Sequence, residues 1–166
     1  MFLDRQSSKD KKAVQDKIIK RQALAETDPD IEPLIIFPEG GTTNGQQMIQ
    51  FKRGAFVGLR SIWPKVHKIW SPFQTPFAGA IGGFPYFFIA CSILWSSCTK
   101  YELPIFRPND YFFEHHQKEG EQKHDTYARV VRQLMSEASG LQVSDQSVED
   151  KFEYIKILYP NDKKHL

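Results

Sequence analysis

Apolar positions along this chain follow helical spacing at both ends and short, strand-like runs in between. In residues 9–25, Val14, Ile18, Ile19, Ala23 and Leu24 recur at near-helical intervals among charges, which predicts a surface helix crossing back toward a sheet. Thr27-Asp28-Pro29-Asp30 reads as a turn and residues 34–37 as a strand, so that with Phe2-Leu3 they form a strand-helix-strand unit with parallel pairing expected. Residues 61–69 and 99–103 are further strand candidates. In the last third, Tyr127, Val130, Val131, Leu134, Met135 and Ala138 form one apolar stripe ending at Gly140, the mark of a helix with a glycine just past its end. Asp125 reads as the N-cap of that helix, and residues 117–123 as a mobile polar loop. Ser147 suits the cap of a last helix, with Val148, Phe152, Ile155 and Tyr159 on one face and Pro160 closing it. Together these elements predict an α/β fold: a mixed sheet flanked by helices, with helices at the C-terminal end.

One stretch breaks both periodicities. Residues 69–99 carry no charge and are rich in Phe, Trp and Ile, a length that would suffice for a membrane span of about twenty residues. Pro72, Pro76, Pro85 and Gly82-Gly83 punctuate it, and the piece after Pro85 is only half a span. The pattern favours a broken interfacial or re-entrant segment, or a surface packed on a larger partner, over a buried core helix or a clean span; Trp70 and Trp95 suit a lipid interface.

Charge sharpens this picture. The net charge of the 166 residues is only +2, yet no acidic residue lies between Glu39 and Glu102, while Lys52, Arg53, Arg60, Lys65, Lys68 and Lys100 all do. A positive centre favours phosphates or anionic head groups. The aromatics cluster in the uncharged run instead of alternating with the cations, so nucleic acid is not an expected partner. Cys91 and Cys98 form neither a disulfide framework nor a metal-ligand spacing and read as small apolar residues in or near a core. The charge-crowded first twenty residues do not have the pattern of a signal peptide.

Chemistry concentrates in Phe37-Pro38-Glu39-Gly40-Gly41-Thr42-Thr43-Asn44, followed by Phe51-Lys52-Arg53-Gly54-Ala55-Phe56. Pro38 ends a strand ladder, and Gly40 and Gly41 let backbone amides approach a ligand with no Cβ in the way. Thr42, Thr43 and Asn44 add short hydrogen-bonding groups, and Lys52 is a point charge suited to phosphate. An ordinary turn, with Glu39 solvated and Thr43 or Asn44 capping the next element, would use the same residues.

This segment resembles the third block of the glycerolipid acyltransferases, and the longer match through Lys52 and Phe56 is most similar to the lysophosphatidylcholine acyltransferase branch. Phe2-Leu3-Asp4-Arg5 resembles the second block and Pro64-Lys65-Val66 the fourth, while residues 101–106 and the helix at 127–140 resemble the late strand and closing helix. The resemblance implies an acyltransferase-type mixed sheet over residues 1–140, expected to be partial because it is incomplete at its N-terminus, with residues 141–166 as a helical extension. It implies that Arg5 and Lys52 hold an acceptor's phosphate, that Glu39 and the Gly40 and Gly41 amides fix its polar end with Thr42 and Thr43 beside them, and that the apolar run meets the acyl chain. Gly41 departs from the family pattern, which carries a hydroxyl residue there; Thr42 offers one a position later.

The family's catalytic His followed five positions later by Asp is absent from this sequence: the fifth residue after His67, His115, His116 and His124 is Pro72, Gly120, Glu121 and Arg129. A positioned general base contributes about 10² to 10⁴ in rate. The expectation is therefore an acyltransferase-like lipid-binding or structural subunit of a membrane-associated complex, inactive by itself and with no catalytic residue of its own. Its expected partners are a phospholipid or lysophospholipid, the membrane and protein subunits covering an incomplete sheet. The alternative is the C-terminal part of an active lysophospholipid acyltransferase, with acyl-CoA as co-substrate. No cofactor or metal is expected in either case.

Overall fold

Good helix formers dominate the first described element, α1 (Ser8–Thr27), which ends where the Thr27 hydroxyl turns back onto the Ala23 carbonyl at 3.2 Å, two residues before Pro29. The computed structural model of the chain describes residues 8–72 and 83–160, so Phe2-Leu3 and Arg5 lie outside the described residues. The expected turn follows: the Asp28 carboxylate accepts the Asp30 N–H at 3.0 Å. α1 crosses no sheet. Its Gln22 amide donates to the Ala55 carbonyl at 3.1 Å, and its Glu26 carboxylate accepts from Arg60 Nη1 at 3.2 Å and from the Ser61 N–H at 2.6 Å.

Residues 34–37 are not a strand. They pair with no other strand among the described residues, and Ile35 and Phe37 are each 81% exposed. Pro33 and Pro38 bracket the run and withhold two ladder donors, and the short strand nearby in sequence, β1 (Gln47–Met48), pairs elsewhere. Its partner is β4 (Gln142–Val143), parallel, with Gln47 opposite Gln142 and Met48 opposite Val143. The chain is the α/β mixture of helices and strands expected, with helices at its C-terminal end; among the described residues its strands form two two-stranded sheets. The second joins β2 (Lys65–Trp70) antiparallel to β3 (Ser97–Glu102), with Lys65 opposite Glu102 and Trp70 opposite Ser97, and an Ile62–Phe106 bridge extends it. The strand candidates at 61–69 and 99–103 are thus found, displaced by a few residues.

The apolar run connects these two strands, and its residues 73–82, Pro76 and Gly82 among them, lie outside the described residues. Within it α2 (Gly83–Cys91) is a short helix whose Phe84, Phe87 and Phe88 are exposed, as are Leu94 and Trp95 beyond it. Trp70 and Trp95 meet edge to face at its base, ring centroids 6.5 Å apart. Among the described residues no helix is long and apolar enough to cross a membrane. Cys91 and Cys98 are exposed thiols, not the core residues expected, because the excursion and β3 turn them outward.

The core forms around α4 (Lys123–Ser139). Tyr127, Val131 and Met135, one turn apart, are buried together with Ala128 and Val130; Leu134 and Ala138, expected on the same stripe, face outward. They pack on Phe56, Val66 and on Phe112 and Phe113 of α3 (Asp110–His116), whose first turn is capped by Asn109 accepting the Phe112 N–H at 2.8 Å. The fully buried Tyr127 keeps its hydroxyl satisfied by donating to the Arg60 carbonyl at 2.8 Å. Asp125 is in the first turn of α4; the N-cap is Gln122. Residues 117–122 are a tied loop: Glu121 accepts from Arg129 Nε and Nη2, both at 2.9 Å, and from the Thr126 hydroxyl at 2.8 Å. Gly140, at φ +67°, ends α4 in the left-handed conformation expected of a C-terminal glycine. The last helix, α5 (Val148–Leu158), buries Val148 and Ile155 but leaves Phe152 and Tyr159 substantially exposed.

Candidate functional site

The Gly-rich turn is held from within and from afar. Pro38 breaks the extended run, the Pro38 carbonyl accepts the Lys52 N–H at 2.7 Å, and the thirteen-residue loop between them is thereby closed. Inside it, the Glu39 carboxylate accepts the Ile49 N–H at 3.3 Å through Oε1 and the Thr43 hydroxyl at 3.5 Å through Oε2. Thr43 and Asn44 cap no helix; their side-chain oxygens accept the N–H groups of Gly45 (3.3 Å) and Gln46 (3.2 Å), forming two local turns. Burial pushes the Glu39 carboxyl above its ordinary pKa of 4.5, and the bonds from Ile49 and Thr43 offset only part of that.

Each glycine makes room for something. Gly40 has φ +74°, a backbone conformation that favours glycine, and a β-carbon there would stand 2.7 Å from Cε and 2.8 Å from Cδ of Lys52. The lysine stem lies across the turn, directing its ammonium to one side. At Gly41 a β-carbon would meet Cγ2 of Val148 at 2.7 Å, so α5 fills the space a side chain there would need.

α5 supplies the rest. Lys52 Nζ lies 2.7 Å from Oε1 of Glu149, and Lys151 Nζ donates to the Thr42 carbonyl at 2.6 Å. Lys52 draws the Glu149 carboxyl below its ordinary range, and burial pushes the Lys151 ammonium down from its own. Of the predicted residues, Glu39, Gly40, Gly41, Thr42, Thr43 and Lys52 are brought together, while Arg5 lies outside the described residues. Val148, Glu149 and Lys151 were not foreseen. They stand about a hundred positions away in sequence, and only the Ser147 cap signalled that a helix begins beside them.

The basic interval is answered by acids from outside it. Glu149 pairs with Lys52, Glu26 with Arg60, and Glu102 with both Lys65 (3.3 Å) and Lys100 (2.5 Å). The unshielded positive centre expected from the sequence is thus largely compensated. The described histidines have local roles: His115 Nδ1 is 2.8 Å from the Tyr111 carbonyl, the His116 ring packs on Phe112 at 5.3 Å, His124 Nε2 is 3.5 Å from Asp125, and His67 faces Lys100 across the strands. Two surface depressions, of about 310 and 370 Å³, are lined by residues of α3, α4 and their neighbours, and neither is lined by Glu39 or Lys52.

The sequence is similar to known acyltransferases. Residues 1–70 match the family model described as Acyltransferase. The chain is 28% identical over 157 residues to a lysophospholipid acyltransferase of Arabidopsis thaliana, covering 93% of this chain and 37% of that protein. It is 31% identical over 139 residues to lysophosphatidylcholine acyltransferase 2 of Homo sapiens (81% and 23%), and 27% identical over 146 residues to a lysophosphatidylcholine acyltransferase of Drosophila melanogaster (83% and 26%). The chain thus spans about a quarter to just over a third of the length of these relatives. No solved structure matches it.

Proposed function

Because this chain belongs to the acyltransferase family, we propose that it is the head-group-binding part of a lysophospholipid acyltransferase fold, holding the phosphate end of a lipid without transferring an acyl group by itself. The observation that carries this reading is the Glu39 carboxylate, half-buried at the head of a Gly-rich turn and braced by Ile49 and Thr43, with the Lys52 stem lying over Gly40 beside it. Lys52 would meet phosphate oxygens, and the Gly40–Thr42 backbone the neighbouring polar atoms. The sequence contains no His-x4-Asp pair to take a proton from an acceptor hydroxyl, and the described histidines stand on β2, α3 and α4. Acyl transfer at this turn therefore needs a base from other residues or another polypeptide. The exposed Leu34, Ile35 and Phe37 supply a second mark of a missing neighbour, since an unpaired extended run invites strand addition. The aromatic excursion around α2 would rest at the lipid interface, with Trp70 and Trp95 at its base.

A second reading, that the chain is part of an active enzyme using acyl-CoA, rests on the relatives, which are named as acyltransferases. One assay can overturn the non-catalytic reading: purified 166-residue chain with acyl-CoA and lysophosphatidylcholine. The expected outcome is lysophospholipid binding, weakened by Glu39→Ala and by Lys52→Met, with no turnover. Turnover that Glu39→Ala abolishes would overturn the non-catalytic reading.

A further inference from the structure

The ion pair at the turn has a property that its surroundings lack: it is exchangeable. Lys52 is fixed by its own backbone, through the N–H bond to Pro38, and its stem lies across Gly40, so the ammonium has little freedom to leave. Its partner arrives on α5, whose first turn is anchored independently. Val148 is 1% exposed and packs on Gly41, the Asp150 carboxylate accepts the Ser147 N–H at 2.6 Å, and Lys151 reaches the Thr42 carbonyl. The Glu149 side chain, which also bonds its own backbone N–H and the Ser147 side chain, is 62% exposed, with Lys52 at 48%. An exposed pair of this kind is weak and gives way to a better anion. Phosphate oxygens offer more acceptor positions than one carboxylate, and inorganic phosphate more charge; a second cation stands on the same turn, since among the described residues Lys151 meets the neutral oxygens of Thr42.

We propose that α5 is part of the head-group site: a phosphate group binds by displacing the Glu149 carboxylate from Lys52 and is shared with Lys151, so that Glu149 is a built-in competitor that sets the affinity of the turn. This rests on the head-group reading above and adds to it the competitor and the second cation, both from the far end of the chain. The shared chemistry is a phosphate group, which lipid head groups and free phosphate both present.

The test measures binding of inorganic phosphate and of glycerophosphocholine, a tail-free head group, to the full 166-residue chain by calorimetry. Glu149→Gln is expected to tighten both by about two- to fivefold, the range that loss of an exposed ion pair allows. Glu153→Gln, one turn further along the same exposed face, is expected to leave them unchanged, which separates competition at Lys52 from a general change in charge. Lys52→Met and Lys151→Met are each expected to weaken binding, and Glu149→Gln to give no gain on the Lys52→Met background. Tightening of glycerophosphocholine alone would assign the site to lipid head groups, and equal tightening of both to phosphate in general. Binding that Lys52→Met removes but Glu149→Gln leaves unchanged would overturn the competitor while the head-group reading stands. Absence of binding in every variant would overturn both.

Discussion

Cγ2 of Val148 stands 2.7 Å from the place where a β-carbon on Gly41 would be, closer than any real packing contact, so the turn and the start of α5 each occupy space the other could use. With Val148 only 1% exposed, this contact is the apolar seal between the Gly-rich loop and the C-terminal helix. Gly41→Ser, which restores the family's usual hydroxyl residue, should therefore destabilise the chain by about 1–3 kcal/mol through overpacking. On a Val148→Ala background the same substitution should cost about 1 kcal/mol less, the coupling expected of residues in contact. Urea unfolding of the four proteins of this cycle measures it; equal costs on both backgrounds would mean the two residues do not share the space.

Glu39→Gln should raise stability and weaken head-group binding at once. Burial holds the Glu39 pKa above its ordinary 4.5, so the native state binds the proton more tightly than the unfolded chain does. The contribution is thus full below pH 4.5 and is lost as pH rises through the folded value. Glutamine keeps an acceptor for the Ile49 N–H without the charge. Its urea midpoint should exceed that of the wild type at pH 7, and the gap should close toward pH 4. A midpoint below the wild type at pH 7 would show that the ionised carboxylate stabilises the loop instead.

Acid should loosen the loop before α4. Hydrogen bonds from Arg129 hold the Glu121 carboxyl at about 2, down from 4.5, against a smaller desolvation effect. A carboxyl depressed in the native state contributes stability above its unfolded pKa and loses it as pH falls, here between about pH 5 and 2. Glu121→Gln should cost about 1 kcal/mol at pH 7, the upper range for a partly exposed pair, and flatten that acid limb. Thermal melts of both proteins across this window provide the check.

Phe87 and Phe88, 60% and 58% exposed on α2, contribute little to the core. Replacing both by Ser should leave the urea midpoint unchanged yet weaken co-sedimentation with phosphatidylcholine–phosphatidylserine vesicles by about tenfold or more. Burying one such side chain yields about 1.5–3 kcal/mol, and tenfold in affinity is 1.4 kcal/mol. Undiminished sedimentation would remove the excursion from the membrane interface.

Much of this molecule was determined locally. The apolar spacing of α4 and the glycine after it, the capped start of α5, the Asp28 turn and the position of the Gly-rich turn all rest on interactions within a few residues, and periodicity and capping report those directly. Leu134 and Phe152 show the limit: each lies on an apolar stripe, yet the partner elements cover only the centre of that stripe. The fate of residues 34–37 was decided by pairing that no local pattern reports: β1 found β4, nearly a hundred residues away, and that run found no partner among the described residues. So was the electrostatics of the centre. A span with no acidic residue between Glu39 and Glu102 reads as positive in one dimension, but Coulomb attraction acts through space, and Glu26, Glu102 and Glu149 reach it from both sides. The sequence alone located the turn and its lysine; only the folding of α5 against them decided what closes the turn, what the lysine holds, and what a ligand must displace.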